Sequence, residues 1–105
     1  MSKQAPVHPG EILRTQFMER YNLSASALAI RLHVPAPRVN DIVRERRGIS
    51  PDSALRLARF FRTTAQYWMD LQTAYDLAVA EAQAGEQITR EVQPAAVEVK
   101  EAIAA

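Results

Sequence analysis

Arg38, Asn40, Asp41 and Arg44 fall within one seven-residue window of the stretch LHVPAPRVNDIVRERRGIS, Leu32 to Ser50. Each has a partner among the base edges that line the major groove of duplex DNA: arginine forks onto guanine, asparagine onto adenine, and aspartate accepts from cytosine. Asp41 also repels phosphate, so it belongs near bases or beside Arg38 and Arg44 as an orienter. Arg46 and Arg47, just beyond, are placed for backbone phosphate, with Ala36 and Pro37 at the tip of the segment. The competing reading is a solvated helix face of the same composition. The basic run Arg44 to Arg47 and the proline-set tip favour DNA.

Such a face works only if the other side of the same helix is anchored. Val39 and Ile42 have core spacing, and the helical period then turns Arg38, Asn40, Asp41 and Arg44 outward. The pattern predicts a helix over about 37–44, entered through Pro35 and Pro37. Ahead of it, Ser24 reads as the N-cap of a helix over about 25–32, buried through Leu28, Ala29 and Leu32, with Leu23 and Leu28 as a hydrophobic staple. His33 then stands in a tight turn that needs positive φ. Two short helices joined in this way, with small Ala29 at their closest approach, form a helix-turn-helix pattern. The free amides at Ser24 make a second place for an anion.

The remaining elements follow from capping signals. Pro9 suits the first position of a helix starting at His8, where Glu11 reaches back to the His8 amide; Ile12, Leu13, Phe17 and Tyr21 form its apolar face. Ser50, Pro51 and Asp52 open a fourth helix with Ala54, Leu55, Ala58 and Phe61 as its core stripe. Thr64 caps a fifth, in which Trp68, Leu71, Tyr75 and Ala78 share a face and Gly85 ends the run. In the tail EQITREVQPAAVEVKEAIAA, ITREV reads as a short strand and VEVKEAIAA as a marginal helix, and the whole as partly disordered. The division is 1–7 flexible, 8–84 an all-α domain, and 85–105 a tail. A row at Met69 and Leu77 beside Tyr75 leaves apolar surface on the fifth helix for a dimer seam.

Bulk properties agree. A 105-residue chain makes one domain with one modest core. Cysteine is absent and the histidines are His8 and His33 alone, so disulfides are excluded, a zinc site is improbable and no cofactor is expected. No nucleophile, base and oxyanion group converge, so the chain is read as no enzyme. The opening MSKQAPVHPGEIL lacks a signal-peptide core, and no stretch approaches the roughly 20 apolar residues of a bilayer span. Cytoplasmic residence without membrane contact is expected. The net charge of +1 is unevenly spread: from Arg38 to Arg62 seven arginines meet three acids, while from Asp70 onward two basic residues meet seven acids. The middle is therefore cationic through arginine alone, the side chain suited to phosphate and base edges.

Four motifs in order, HPGEIL (His8 to Leu13), VPAPRVNDIVRERRGIS (Val34 to Ser50), ALRLARFF (Ala54 to Phe61) and YWMDLQTAYDL (Tyr67 to Leu77), resemble those of the HigA-type antitoxins. These form the virulence-associated protein I branch of the lambda-repressor-like helix-turn-helix proteins. The resemblance spans about residues 6 to 80. It implies a five-helix fold and a homodimer on a palindromic DNA operator. It further implies repression of the chain's own operon and neutralisation of a HigB-like toxin, an mRNA endonuclease. Carried over by position, the base-facing helix is Ala36 to Arg44. The sequence departs from the family at His33 and Glu45, which stand where glycine is frequent; Glu45 is expected to blunt the end of the third helix. Two other readings stay open: a solitary transcription regulator without a toxin, and a protein-binding adaptor that keeps the fold without the DNA function.

Overall fold

The computed structural model describes residues 5–96. Helix α1, Pro9–Ile12, continues directly into a π-helical segment, Leu13–Met18; then follow α2, Ala25–Leu32, α3, Ala36–Val43, α4, Pro51–Phe61, and α5, Ala65–Glu91. No strand occurs among the described residues.

The expected caps are in place. The Oγ of Ser24 accepts from the Ala27 amide at 3.0 Å, that of Ser50 from Ser53 at 3.2 Å, and Oγ1 of Thr64 from Tyr67 at 3.0 Å. Each satisfies an amide that the first turn leaves free. The cap of α1 differs from expectation: Nδ1 of His8 accepts from the Gly10 amide at 2.9 Å, and Glu11 stays exposed.

Side chains from the π-helical segment and from α2 to α5 meet in one core, with Leu13, Leu28, Val39, Leu57 and Trp68 almost fully enclosed. The Trp68 ring lies 4.9 Å from that of Phe17, and its Nε1 donates to Thr63 at 2.8 Å. Two apolar faces are corrected. In the first helix the wider π turn brings residues five apart into line, as in the bond from the Glu19 amide to the Arg14 carbonyl, so Met18 rather than Tyr21 joins Leu13 inside. Tyr21 is 54% exposed, resting on Phe61. In α4, Leu57 takes the core position expected of Leu55, which is 63% exposed.

Gly85 does not end α5. No described glycine has positive φ, and the helix runs through to Glu91, so the strand expected at ITREV is helical except for its last residue. A mid-helix glycine costs only about 1 kcal/mol. The alanine-rich neighbours and the pairs Glu86 to Arg90 and Gln87 to Glu91 oppose that cost. The expected tail of 85–105 therefore begins inside a helix, and VEVKEAIAA lies outside the described residues, as does most of the flexible 1–7 stretch.

Candidate nucleic-acid interface

The α2–α3 pair turns at His33, whose φ of 59° and ψ of 47° place it in the left-handed region. The turn closes with the amides of His33 on the Ile30 carbonyl and of Val34 on the Ala29 carbonyl, at 3.2 and 3.1 Å. Ala29, 2% exposed, is the small residue at the close approach.

Helix α3 is pinned by Val39 and Ile42, 1% and 2% exposed, with Ala36 and Val43 packed against the same core. The period of 3.6 then sets Pro37, Asp41 and Arg44 opposite the core, flanked by Arg38 and Asn40. The end of α3 is sharp. Glu45 adopts φ 64°, and the Arg46 amide closes on the Asp41 carbonyl at 2.8 Å, so the expected blunting by Glu45 does not occur.

Two long-range contacts fix the pose of this helix, and a third holds the end of its neighbour α2. A Cβ on Gly10 would stand 1.9 Å from the Ile42 carbonyl oxygen, so α1 meets α3 backbone to backbone. Arg14, carried by the π-helical segment, donates through Nη1 to the Val43 carbonyl at 2.7 Å, a cation on the C-terminus of α3. At the end of α2, Nη1 of Arg56 reaches the Leu32 carbonyl at 2.9 Å.

The outward side chains differ in freedom. Arg44 and Arg46 are exposed and make no side-chain bond among the described residues, and Asn40 donates back to the Ala36 carbonyl at 3.3 Å. Asp41 accepts from Arg47 at 3.4 Å rather than orienting Arg38 or Arg44. Arg38 is held instead by Asp52, whose Oδ2 accepts from its Nη1 at 2.5 Å and from Nε of Arg56 at 2.8 Å. Those bonds, from Arg56 first and Arg38 second, lower the Asp52 pKa below its ordinary value, against a smaller opposing effect of desolvation. Of the other expected contact residues, Pro37 and Ser24 are exposed, Ser24 with its capping hydroxyl, whereas Ala36 is half-buried against the core.

Among the expected dimer residues, Met69 packs on the core and Tyr75 meets the His8 ring edge-on at 4.8 Å, while Leu77 is 65% exposed. His8 is buried, which lowers its pKa against the raising influence of Glu45 and Asp76. Sequence reasoning missed Arg14, Arg56 and the partnership of Asp52 with Arg38. In the sequence Asp52 signals only an acid at a helix start, and nothing local distinguishes these arginines from their neighbours.

The helix-turn-helix profile HTH_3 matches residues 16–68, from within the π-helical segment to Trp68. The chain is 57% identical over 75 residues to virulence-associated protein I of Dichelobacter nodosus, an overlap of 71% of this chain and 69% of that protein. Among solved structures it is similar to Pseudomonas aeruginosa antitoxin HigA with the higBA promoter. There the identity is 57% and the TM-score 0.84, over 85% of this chain and 97% of that one. It is also similar to antitoxin GraA in complex with its operator, at 47% identity and a TM-score of 0.85, over 92% and 98% of the two chains. No described helix is long and apolar enough to cross a membrane.

Proposed function

Because this chain belongs to the helix-turn-helix family HTH_3, in its HigA-type branch, we propose that it is a sequence-specific DNA-binding antitoxin. In this reading it represses its own operon from the cytoplasm and neutralises a HigB-like mRNA endonuclease, with no catalytic step or cofactor of its own. The observation that carries the reading is α3: Val39 and Ile42 are sealed at 1% and 2% exposure, leaving Pro37, Asp41 and Arg44 outward beside an arginine rim. The likeness to HigA with promoter DNA supports DNA as the ligand.

Arg38, Asn40 and Arg44 then read base edges, Asp41 sits among them, and Arg46, Arg47 and the Ser24 helix start hold phosphates, with Ala36 and Pro37 as the tip. Two copies joined along α5 through Met69, Tyr75 and Leu77 would set their α3 helices about 34 Å apart on a palindrome. A footprint on the DNA upstream of the chain's own coding sequence, with and without the product of the neighbouring gene, tests the reading. A protected palindrome is expected, together with restraint of a small basic nuclease encoded alongside. Protection without such a nuclease leaves a solitary regulator, and no protection at low salt leaves a protein-binding adaptor.

A further inference from the structure

A single carboxylate oxygen ties three helices together at the edge of α3. Oδ2 of Asp52, in the first turn of α4, holds Nη1 of Arg38 on α3 and Nε of Arg56. Arg56 in turn is fixed on the Leu32 carbonyl at the end of α2. The Asp52 side chain is 55% exposed and that of Arg38 30%, so the pair sits at the surface and seals no core atom.

We infer that Asp52 is a specificity-determining positioning residue: it sets the Arg38 guanidinium in place before DNA arrives. The inference rests on the DNA-binding reading of α3. An arginine swinging freely loses rotamer freedom when it engages a base, and one already clamped loses less. With Nη1 engaged by Asp52, Nε and Nη2 have no partner among the described residues, and that edge has the two parallel donors that fit O6 and N7 of a guanine. Arg56 bonds the same Oδ2 while anchored on the Leu32 carbonyl, so the carboxylate that holds Arg38 is itself tied to α2. Asp52 also brings a negative charge near a polyanion, which weakens binding to every sequence alike. It further denies Arg38 an unselective contact with phosphate. Asp52 therefore exchanges general affinity for discrimination, and the two effects have opposite signs.

That opposition supplies the test. Asp52→Asn, Arg38→Ala and the double variant, as full-length chains, are titrated against the DNA upstream of the coding sequence and against a shuffled fragment of equal length. Asp52→Asn is expected to bind shuffled DNA as tightly as the parent or more so, which also reports that it is folded. On the upstream DNA its preference should fall about tenfold, as for loss of one well-made base contact. Arg38→Ala should lose a comparable preference, the double variant no more than either, and Asp52→Glu should regain part. Equal losses on both DNAs, an unchanged preference, or additive losses in the double variant would overturn the inference. A parent protein indifferent to its upstream sequence overturns the reading of α3 itself, and this inference with it.

Discussion

Gly10 and Ile42 touch backbone to backbone, with the Ile42 carbonyl oxygen 1.9 Å from where a Cβ on Gly10 would lie. The neighbour is main chain of the buried side of α3, so it has no rotamer with which to retreat. In Gly10→Ala, overpacking of about 3 kcal/mol outweighs a helix-propensity gain of about 1 kcal/mol. A calorimetric scan should show a melting temperature lower by about 10 °C for the net 2 kcal/mol. An unchanged melting point would mean that α1 slides off α3 at no cost.

Arg14 caps α3 from a position 29 residues away, through a half-buried bond of 2.7 Å to the Val43 carbonyl. Arg14→Ala removes the donor and leaves a carbonyl of the last turn without its cationic partner, at a cost of about 2 kcal/mol. Urea titration should give a lower midpoint with an unchanged slope.

The His8 imidazole is a pH-dependent cap. Its Nδ1 accepts from Gly10, which requires the neutral ring, and burial holds its pKa below 6.5. Well above 6.5 both folded and unfolded chains carry neutral His8, and this contribution to stability is complete. As pH falls below 6.5 the unfolded chain takes up the proton first, so stability declines until the folded pKa is passed and then levels. Urea melts at about pH 7.5 and about pH 5.5 should show the decline, and His8→Asn, a cap that does not titrate, should reduce it.

Arg44 and Arg47 should separate in binding. Arg44 lies opposite the core face of α3 and makes no side-chain bond among the described residues, whereas Arg47 lies past the helix and pairs with Asp41 at 3.4 Å. Arg44→Ala is expected to cost about 1 to 3 kcal/mol on the operator and relax preference at one base pair. Arg47→Ala should weaken all DNA alike and lower the salt slope by about one. Identical profiles for the two variants would remove the assigned roles.

Gln72 secures the loop that carries Arg46 and Arg47. Its Oε1 accepts from the amide of buried Ile49 at 2.6 Å, and its side chain crosses the space left open by Gly48. Gln72→Ala orphans that amide at a cost of about 1 to 3 kcal/mol. Amide hydrogen exchange at Ile49 should quicken well before that of α4.

Much of the candidate interface was legible because it is written in local signals. Ser24, Ser50 and Thr64 cap helices through amides three residues away, His33 takes the expected left-handed turn, and α2 has its expected bounds. The burial of Val39 and Ile42 follows from their spacing on a short helix with one strongly apolar side. The same spacing rule favours Leu57 over Leu55 in α4, since Ala54, Leu57, Ala58 and Phe61 stand at i, i+3, i+4 and i+7 while Leu55 falls on the flank of that stripe, where it is exposed. The π turn defeats the 3.6 rule outright, moving Met18 inside and Tyr21 out.

Sequence by itself determined which helices form and which side of α3 is held, since caps, turns and periodicity act within one or two turns of chain. Tertiary structure alone decided how that helix is posed and how its arginines are directed. The deciding partners lie far along the chain: Arg38 and Asp52 are 14 residues apart, Arg56 and Leu32 24, and Arg14 and Val43 29. An arginine has the same composition whether it reaches for a carboxylate, a helix end or open solvent. Only the folded arrangement brings one of those partners within its reach.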